Sequence, residues 1–311
     1  MPDLINLRNY PIHSTLGKLL EDKTTKQNIV WATSSYEDLG EGYSKPSQIT
    51  EDLLFAEDYS NVIQPRILKS QGEQQSRTRN KGEVFTPAWL CCQMNNHLDE
   101  EWFGRPDVFN TMEGQTWATR EEAIMFPKGK TWQEYVDSRR LEITCGEAPF
   151  IVSRYDTATG ALILPPKRRV GLLDRKLRIV NENTTSEEEW LKWAIRAAQS
   201  VYGYEYQGDN LLIARINVLM TFTDYLEERL YRKASNAELD KVANIIAWNF
   251  WQMDGLSGLV PHVVETTKPS QMSLFVEDNE EVELEVPCRI YDWRKDKSLD
   301  FNEMRGYNNE V

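Results

Sequence analysis

Apolar positions change their spacing several times along the chain, and each change predicts an element. Residues 1–80 carry short apolar pieces such as NIVWAT and NVIQPRIL between polar and turn residues, without a sustained helical period. That pattern predicts an irregular N-terminal extension. The segment TPAWLCCQMNNHL (86–98) offers Thr86 as an N-cap and Pro87 at the first helical position, followed by apolar residues on one face. A helix is expected there, and a loop over 101–131. RLEIT then predicts a strand, Gly146 a turn, and APFIVSRYD a helix opening behind that turn, with a polar and basic insertion after Gly160. SEEEWLKWAIRAAQSV (186–201) places Ser186 and Glu189 in capping-box spacing ahead of an amphipathic run. SVYGYEY (200–206) reads as a buried strand, and GDNLLIARINVLMTFTDYLEERLY as a long amphipathic helix with Asp209 near its start. NAELDKVANII predicts one more helix, and IIAWNFWQMDGL (245–256) a strand ending in a turn.

Strands alternating with helices in this order predict an α/β fold: a parallel sheet with helices on its faces and ligands at the carboxyl ends of its strands. Three polar groups fall at three such ends: the Cys145–Gly146 turn, Glu205 and Asp254. The expected organisation is an extension over 1–80, a core over 81–265, and an acidic linker with a C-terminal segment over 266–311, where EDNEEVELE (277–285) lies.

Composition narrows the picture. At 311 residues and 40% hydrophobic content the chain can bury a substantial core. It has no apolar run of membrane-spanning length and no signal-peptide pattern, so a cytoplasmic protein without a membrane partner is expected. Four cysteines and three histidines lack metal-ligand spacing, so no metal site is predicted, and Cys91 and Cys92 read as small buried hydrophobes. A net charge of -13 argues against a chain coated in nucleic acid. Two stretches oppose it, PRILKSQGEQQSRTRNK (65–81) and KRRVGLLDRKLR (167–178). Either could follow a phosphate backbone, and in the second the candidates are Lys167, Arg168, Arg169, Arg175 and Lys176. Asp156 and Asp174 read as surface carboxylates. Trp190, Trp193, Trp248, Phe250 and Trp251 read as core aromatics, with Trp251 the one placed to line an adenine pocket.

An acid ending the second strand of a nucleotide-binding sheet takes both ribose hydroxyls, and Glu205 is placed for that. A helix N-terminus behind Gly146 would offer N–H groups to an anion, and Asp254 could accept from an adenine amine. The 59 residues between Gly146 and Glu205 exceed the roughly 20 of the dinucleotide pattern, and no GxGxxG is present. A pyrophosphate needs that glycine-rich approach, whereas a methionine carboxylate does not. S-adenosylmethionine (SAM) is therefore expected over NAD or ATP.

Four pieces, GEVFTPAWLCCQM (82–94), LEITCGEAPF (141–150), VYGYEYQGDNLLIARINVLM (201–220) and IIAWNFWQMDGLSG (245–258), occur in an order that resembles the N6-adenine DNA methyltransferases that serve as modification subunits of restriction systems. The resemblance implies a Rossmann-like class I SAM-dependent methyltransferase sheet. It gives Phe85, Thr86 and Pro87 the role of closing over SAM, and Thr144, Cys145 and Gly146 that of the cofactor loop. The family's first motif is an acid, two residues and CGxGxF; this chain matches it from Glu142 to Phe150, with Ala148 in place of the second glycine. The family's catalytic motif, an Asn, Asp or Ser followed by Pro-Pro and an aromatic residue, is not found. The only Pro-Pro, in LPPK (164–167), precedes the second strand and is followed by Lys167. VPCRIYDWRKDKSLDFNEM resembles the segment that precedes the family's catalytic strand, and no catalytic residue can be named. What the resemblance implies is a DNA adenine methyltransferase component acting on double-stranded DNA, incomplete alone, with the catalytic motif and target recognition supplied by a second protein chain or by a longer open reading frame of which this is a truncated part. The alternatives are a catalytically inactive protein that binds SAM or nucleic acid through the 167–178 patch, a methyltransferase with an RNA or protein acceptor, and a structural domain without a ligand.

Overall fold

The computed structural model describes residues 4–56, 62–84, 86–266 and 281–306. The extension folds as short pieces, α1 (Leu16–Leu20), α2 (Glu51–Phe55) and α3 (Gln71–Lys81). Ser70 caps α3 by accepting from the Glu73 N–H while Glu73 returns to the Ser70 N–H, so two otherwise unpaired donors are satisfied together. Helix α4 (Ala88–Phe103) starts one residue later than expected, with Pro87 and not Thr86 as its N-cap. The expected loop over 101–131 contains a hairpin, β1 (Asn110–Glu113) and β2 (Thr116–Thr119), turned at Gly114.

Beyond α5 (Trp132–Asp137) the central sheet is built. Strand β3 (Arg140–Ile143) leads through a long connection to α6 (Leu172–Asn183) and α7 (Glu187–Gln199), then β4 (Val201–Glu205). Next come α8 (Gly208–Leu230), α9 (Asn236–Asn249) and β5 (Phe250–Gln252). The three strands are parallel in the order β3-β4-β5, with Ile143 beside Tyr204 and Tyr204 beside Trp251. The expected helix behind Gly146 is absent, and α6 lies where a polar insertion was expected. The expected strand from 245 is helical through Asn249, and only three residues pair.

Strand alternation divides the sheet cleanly. Val201, Gly203 and Phe250 face the main core, where α6, α7, α8 and α9 pack. Tyr204 and Trp251 face a smaller apolar cluster with Cys288 and Ile290. That side is covered by the C-terminal hairpin β8 (Arg289–Asp292) and β9 (Lys297–Asp300) and by α10 (Phe301–Gly306). A second small hairpin, β6 (Val264–Thr266) with β7 (Glu281–Glu283), lies between.

The extension belongs to the main core: Leu16, Leu19, Ile29, Trp31 and Ile49 pack in the same cluster as Leu211 and Phe250. The tightest joint is at Gly208, whose N–H donates to the Trp31 carbonyl at 3.0 Å. A Cβ at Gly208 would lie 2.0 Å from the Val30 carbonyl oxygen, so glycine alone lets α8 start there. Among the described residues no helix is long and apolar enough to cross a membrane.

Candidate functional site

At the carboxyl ends of β3 and β4 lies a cleft of about 130 Å³. Thr144, Cys145, Gly146 and Glu205 line it together with Thr86 from the start of α4, so five of the expected site residues meet. Glu205 ends β4 with its carboxylate turned back across the strand ends. Its Oε2 accepts from the Gly146 N–H at 3.0 Å, and its Oε1 from the N–H groups of Tyr206 and Gln207 at 3.0 and 3.1 Å. Burial raises its pKa to about 7, and those three amides hold it from rising further.

The connection after β3 is wound as tight turns. Gly146 has φ +52°, and Ala148, which is fully buried, has φ +63°. The Ala148 N–H donates to the Cys145 carbonyl, and the N–H groups of Ile151 and Val152 to the Ala148 carbonyl. Two left-handed residues and Pro149 break any helix at this point. Gly146 therefore offers the cleft a turn, and its N–H is already committed to Glu205.

Two carboxyls beside the turn were not among the expected site residues. Glu142, on β3, is buried; its Oε1 accepts weakly from the Phe150 N–H at 3.4 Å and its Oε2 has no hydrogen-bond partner. Burial pushes its pKa well above the carboxylate range. Glu147 is buried too, accepting from the Arg66 N–H at 2.6 Å and from the Tyr155 hydroxyl at 2.7 Å, and burial raises its pKa. The signal for Glu142 was present in the sequence, as the acid three residues before Cys145. Glu147 gave none, since its partners come from distant segments.

The rim at Gly82 and Glu83 is fastened by the extension. Asp209, in the first turn of α8, is fully buried and takes the Tyr36 hydroxyl at 2.6 Å, Arg77 at 2.8 Å and Lys69 at 3.1 Å. Those cations hold its carboxyl far below the usual range despite burial. Arg77 also pairs with Glu83 at 2.5 Å, and Asn210 donates to Glu83 at 3.1 Å. Lys69 and Arg77 are thus interior ligands of Asp209 and are removed as phosphate contacts from the 65–81 stretch, in which Arg79 stays exposed.

The wall of the cleft carries four glutamates, Glu83, Glu142, Glu147 and Glu205, and no Lys or Arg among the described residues. A polyphosphate finds no cationic partner on such a wall. A ligand with ribose hydroxyls is matched by the open lone pairs of Glu205, whereas Glu142, buried and held neutral by that burial, is no partner for a cation. SAM has those hydroxyls, so the residues fit it chemically. The volume is below the roughly 300–1,000 Å³ of drug-sized ligand sites, so a whole nucleoside enters only if the rim at 82–84 shifts. Comparison with family models, characterised proteins and solved structures finds no match.

The other expected residues lie elsewhere. Phe85 is outside the described residues. Pro87 is the N-cap residue of α4, where the Asp156 Oδ2 takes the Ala88 N–H at 2.8 Å. Asp254 lines a neighbouring cleft of about 300 Å³ with Tyr206 and His262, and its Oδ1 accepts from Leu256 and Ser257 N–H groups to close a turn. Trp251 lies on the opposite face of the sheet, against Tyr204 and Phe301.

The patch over 167–178 is taken apart by the structure. Arg169 is buried on Asp224 at 2.7 Å, and Arg175 is buried on Asp99 at 2.5 Å. Lys176 is buried and donates to the Val136 carbonyl and the Ser200 hydroxyl at 3.0 and 2.6 Å. Three of the five proposed phosphate contacts therefore cannot reach a nucleic acid. Lys167, paired with Glu121 at 2.8 Å, and exposed Arg168 remain at the surface. Asp174, expected at the surface, is fully buried beneath the Ser153 N–H, and burial raises its pKa to about 6.

Proposed function

We propose that this chain is the cofactor-binding part of a SAM-dependent adenine-N6 DNA methyltransferase of the modification-subunit kind, built on a Rossmann-like class I sheet and incomplete alone. The observation that carries the reading is the acidic cleft at the ends of two parallel strands, with Glu205 at the tip of the second and no cation on its wall. In this reading Glu205 accepts from the ribose hydroxyls with the lone pairs its three amides leave open. Thr144, Cys145 and Gly146 form the floor, and the segment holding Phe85, Thr86 and Pro87 closes the mouth. Bound SAM supplies an electrophilic methyl group. Nothing at the cleft provides the Pro-Pro motif that would orient an adenine amine, which is why the chain is proposed as one part of an enzyme acting on double-stranded DNA.

Calorimetric titration of the purified chain with SAM and with its demethylated product tests the reading. Saturable binding that Glu205→Ala abolishes, without methyl transfer to DNA by the chain alone, is the expected result. Absence of SAM binding refutes the cofactor assignment, and methyl transfer by the chain alone refutes its incompleteness. The alternative of a nucleic-acid-binding protein that uses residues 167–178 loses most of its contacts to burial.

A further inference from the structure

Parallel sheets are normally covered on both faces and continued on both sides of a ligand-binding strand end. Here β3 carries half of the candidate cleft, yet it is the edge of the sheet. Its Arg140 N–H pairs with the Ser200 carbonyl on the β4 side, and among the described residues no strand pairs its other side. Both crossovers, β3 to β4 and β4 to β5, place their helices over the face of Phe250. The face of Tyr204 and Trp251 receives, among the described residues, Val260, Val263 and Val286 from the connection after β5, and the C-terminal hairpin with α10. That cover stops short of β3, where Leu141 is 45% and Ile143 67% exposed. A cavity of about 160 Å³ marks the gap, between Leu141 and Tyr202 on the sheet and Ile290 and Phe301 on the cover.

The charge at the amino end of this gap is opposite to that of the molecule. Arg139, Arg196 and Arg294 surround Tyr202, with Asp137 and Asp292 as their carboxylate partners. Arg140 borders the cavity, but its side chain lies on the opposite face with Val201. Three guanidiniums thus meet two carboxylates on a chain of net charge -13.

We propose that the open edge of β3 is the docking site for a second polypeptide, which adds a strand parallel to β3, begins that strand with acidic residues beside Arg139, and lays apolar side chains over Leu141 and Ile143. A parallel strand starts at the arginine end and finishes beside Cys145, Gly146 and Glu205, so whatever follows it is delivered to the cleft. The geometry stands on the sheet alone; the purpose, completing the cofactor site, rests on the function proposed above. Antiparallel pairing with a second copy would put an Ile143 against the arginine end and leave the guanidiniums unmatched.

Amide hydrogen exchange on the full chain tests this, with and without a synthetic strand peptide of roughly eight residues whose two leading aspartates precede alternating valine and isoleucine. Light scattering and SAM calorimetry are run on the same samples. The expected result is a monomer whose Leu141 and Ile143 amides exchange rapidly and slow by about tenfold or more with the peptide, the slowing being lost in Ile143→Lys. A peptide with lysines in place of the aspartates should protect less. Amides already protected in a monomer would assign the edge to the chain's own residues, and protection in a dimer would assign it to a second copy. No protection by the peptide would mean that the edge accepts no strand. Each of these three results overturns the proposal. SAM binding lost while peptide protection persists would remove the cofactor reading and leave the docking site standing.

Discussion

A buried alanine at φ +63° is an uncommon arrangement, because the Cβ crowds the backbone there, and Ala148 holds it directly in the turn that forms the floor of the cleft. The CGxGxF motif that this turn resembles has a glycine at this position, and the left-handed backbone gives the physical reason for one. Ala148→Gly should relieve the strain at the cost of greater freedom in the unfolded chain, for a net gain of roughly 1 kcal/mol read from thermal unfolding. An unchanged or lower melting temperature would mean that the turn relaxes around the alanine. Glu205 titrates close to neutrality, because burial raises its pKa to about 7. Its folded pKa lies above the unfolded value, so the stability it contributes is full at acid pH and is lost as pH rises through about 7. Cofactor affinity should move the opposite way, since an ionised carboxylate is the better acceptor and the better partner for a cation. SAM affinity measured by calorimetry should rise through that pH range in the wild type. It should be weaker and flatter in Glu205→Gln, which loses about 1.5–3 kcal/mol of charged hydrogen bonding. Glu205 was legible in the sequence because it follows a recognisable strand. Glu147 was not, because its environment is assembled from Arg66 and Tyr155 by tertiary folding.

Helices α7, α8 and α9 were readable at the level of elements because their signals are local: an apolar period in each, and at α7 a Ser186 that accepts from the Glu189 N–H as spacing predicts. Helix α6 was not. LLDRKLRIVNEN looks like a solvated basic face, yet Arg175, Lys176 and Arg178 are all buried, each neutralised or capped by a different segment. Arg175 meets Asp99 from a distance of 76 residues, a pairing that periodicity does not encode. The same segment illustrates why charge runs mislead: a cation satisfied one by one in the interior reads in sequence like a patch on the surface. Breaking the pair from one side leaves a buried unpaired charge, so Asp99→Ala should cost about 3–5 kcal/mol in urea unfolding. Replacing surface Lys167 and Arg168 together with Glu should stay within about 0.5 kcal/mol. Similar losses from both variants would mean that α6 is not the buried element described. The short span of β5 is the other miss, and its cause is a helix that keeps its hydrogen bonds through Asn249 before the chain extends.

The whole molecule bears a net charge of -13, and its two basic stretches are largely spent inside the fold, on Asp209, Asp99, Asp224 and main-chain carbonyls. Duplex binding depends on cations that displace counterions from phosphates, and each such contact steepens the dependence on salt. Lys167 and Arg168 alone offer two contacts from the expected patch, against a field that repels DNA at long range. The purified chain should therefore show no saturable affinity for a 20-base-pair duplex at concentrations up to ~10 µM in low salt, read by fluorescence anisotropy. Lys167→Glu with Arg168→Glu should leave that baseline unchanged. If the chain is one part of a DNA methyltransferase, duplex affinity must then come with the polypeptide that completes β3, and the salt slope of the complex would report the partner's phosphate contacts. Tight, salt-dependent binding by the chain alone, lost in the double variant, would restore the surface residues of the 167–178 segment as a DNA contact. It would also show that a local pair of cations outweighs the global charge.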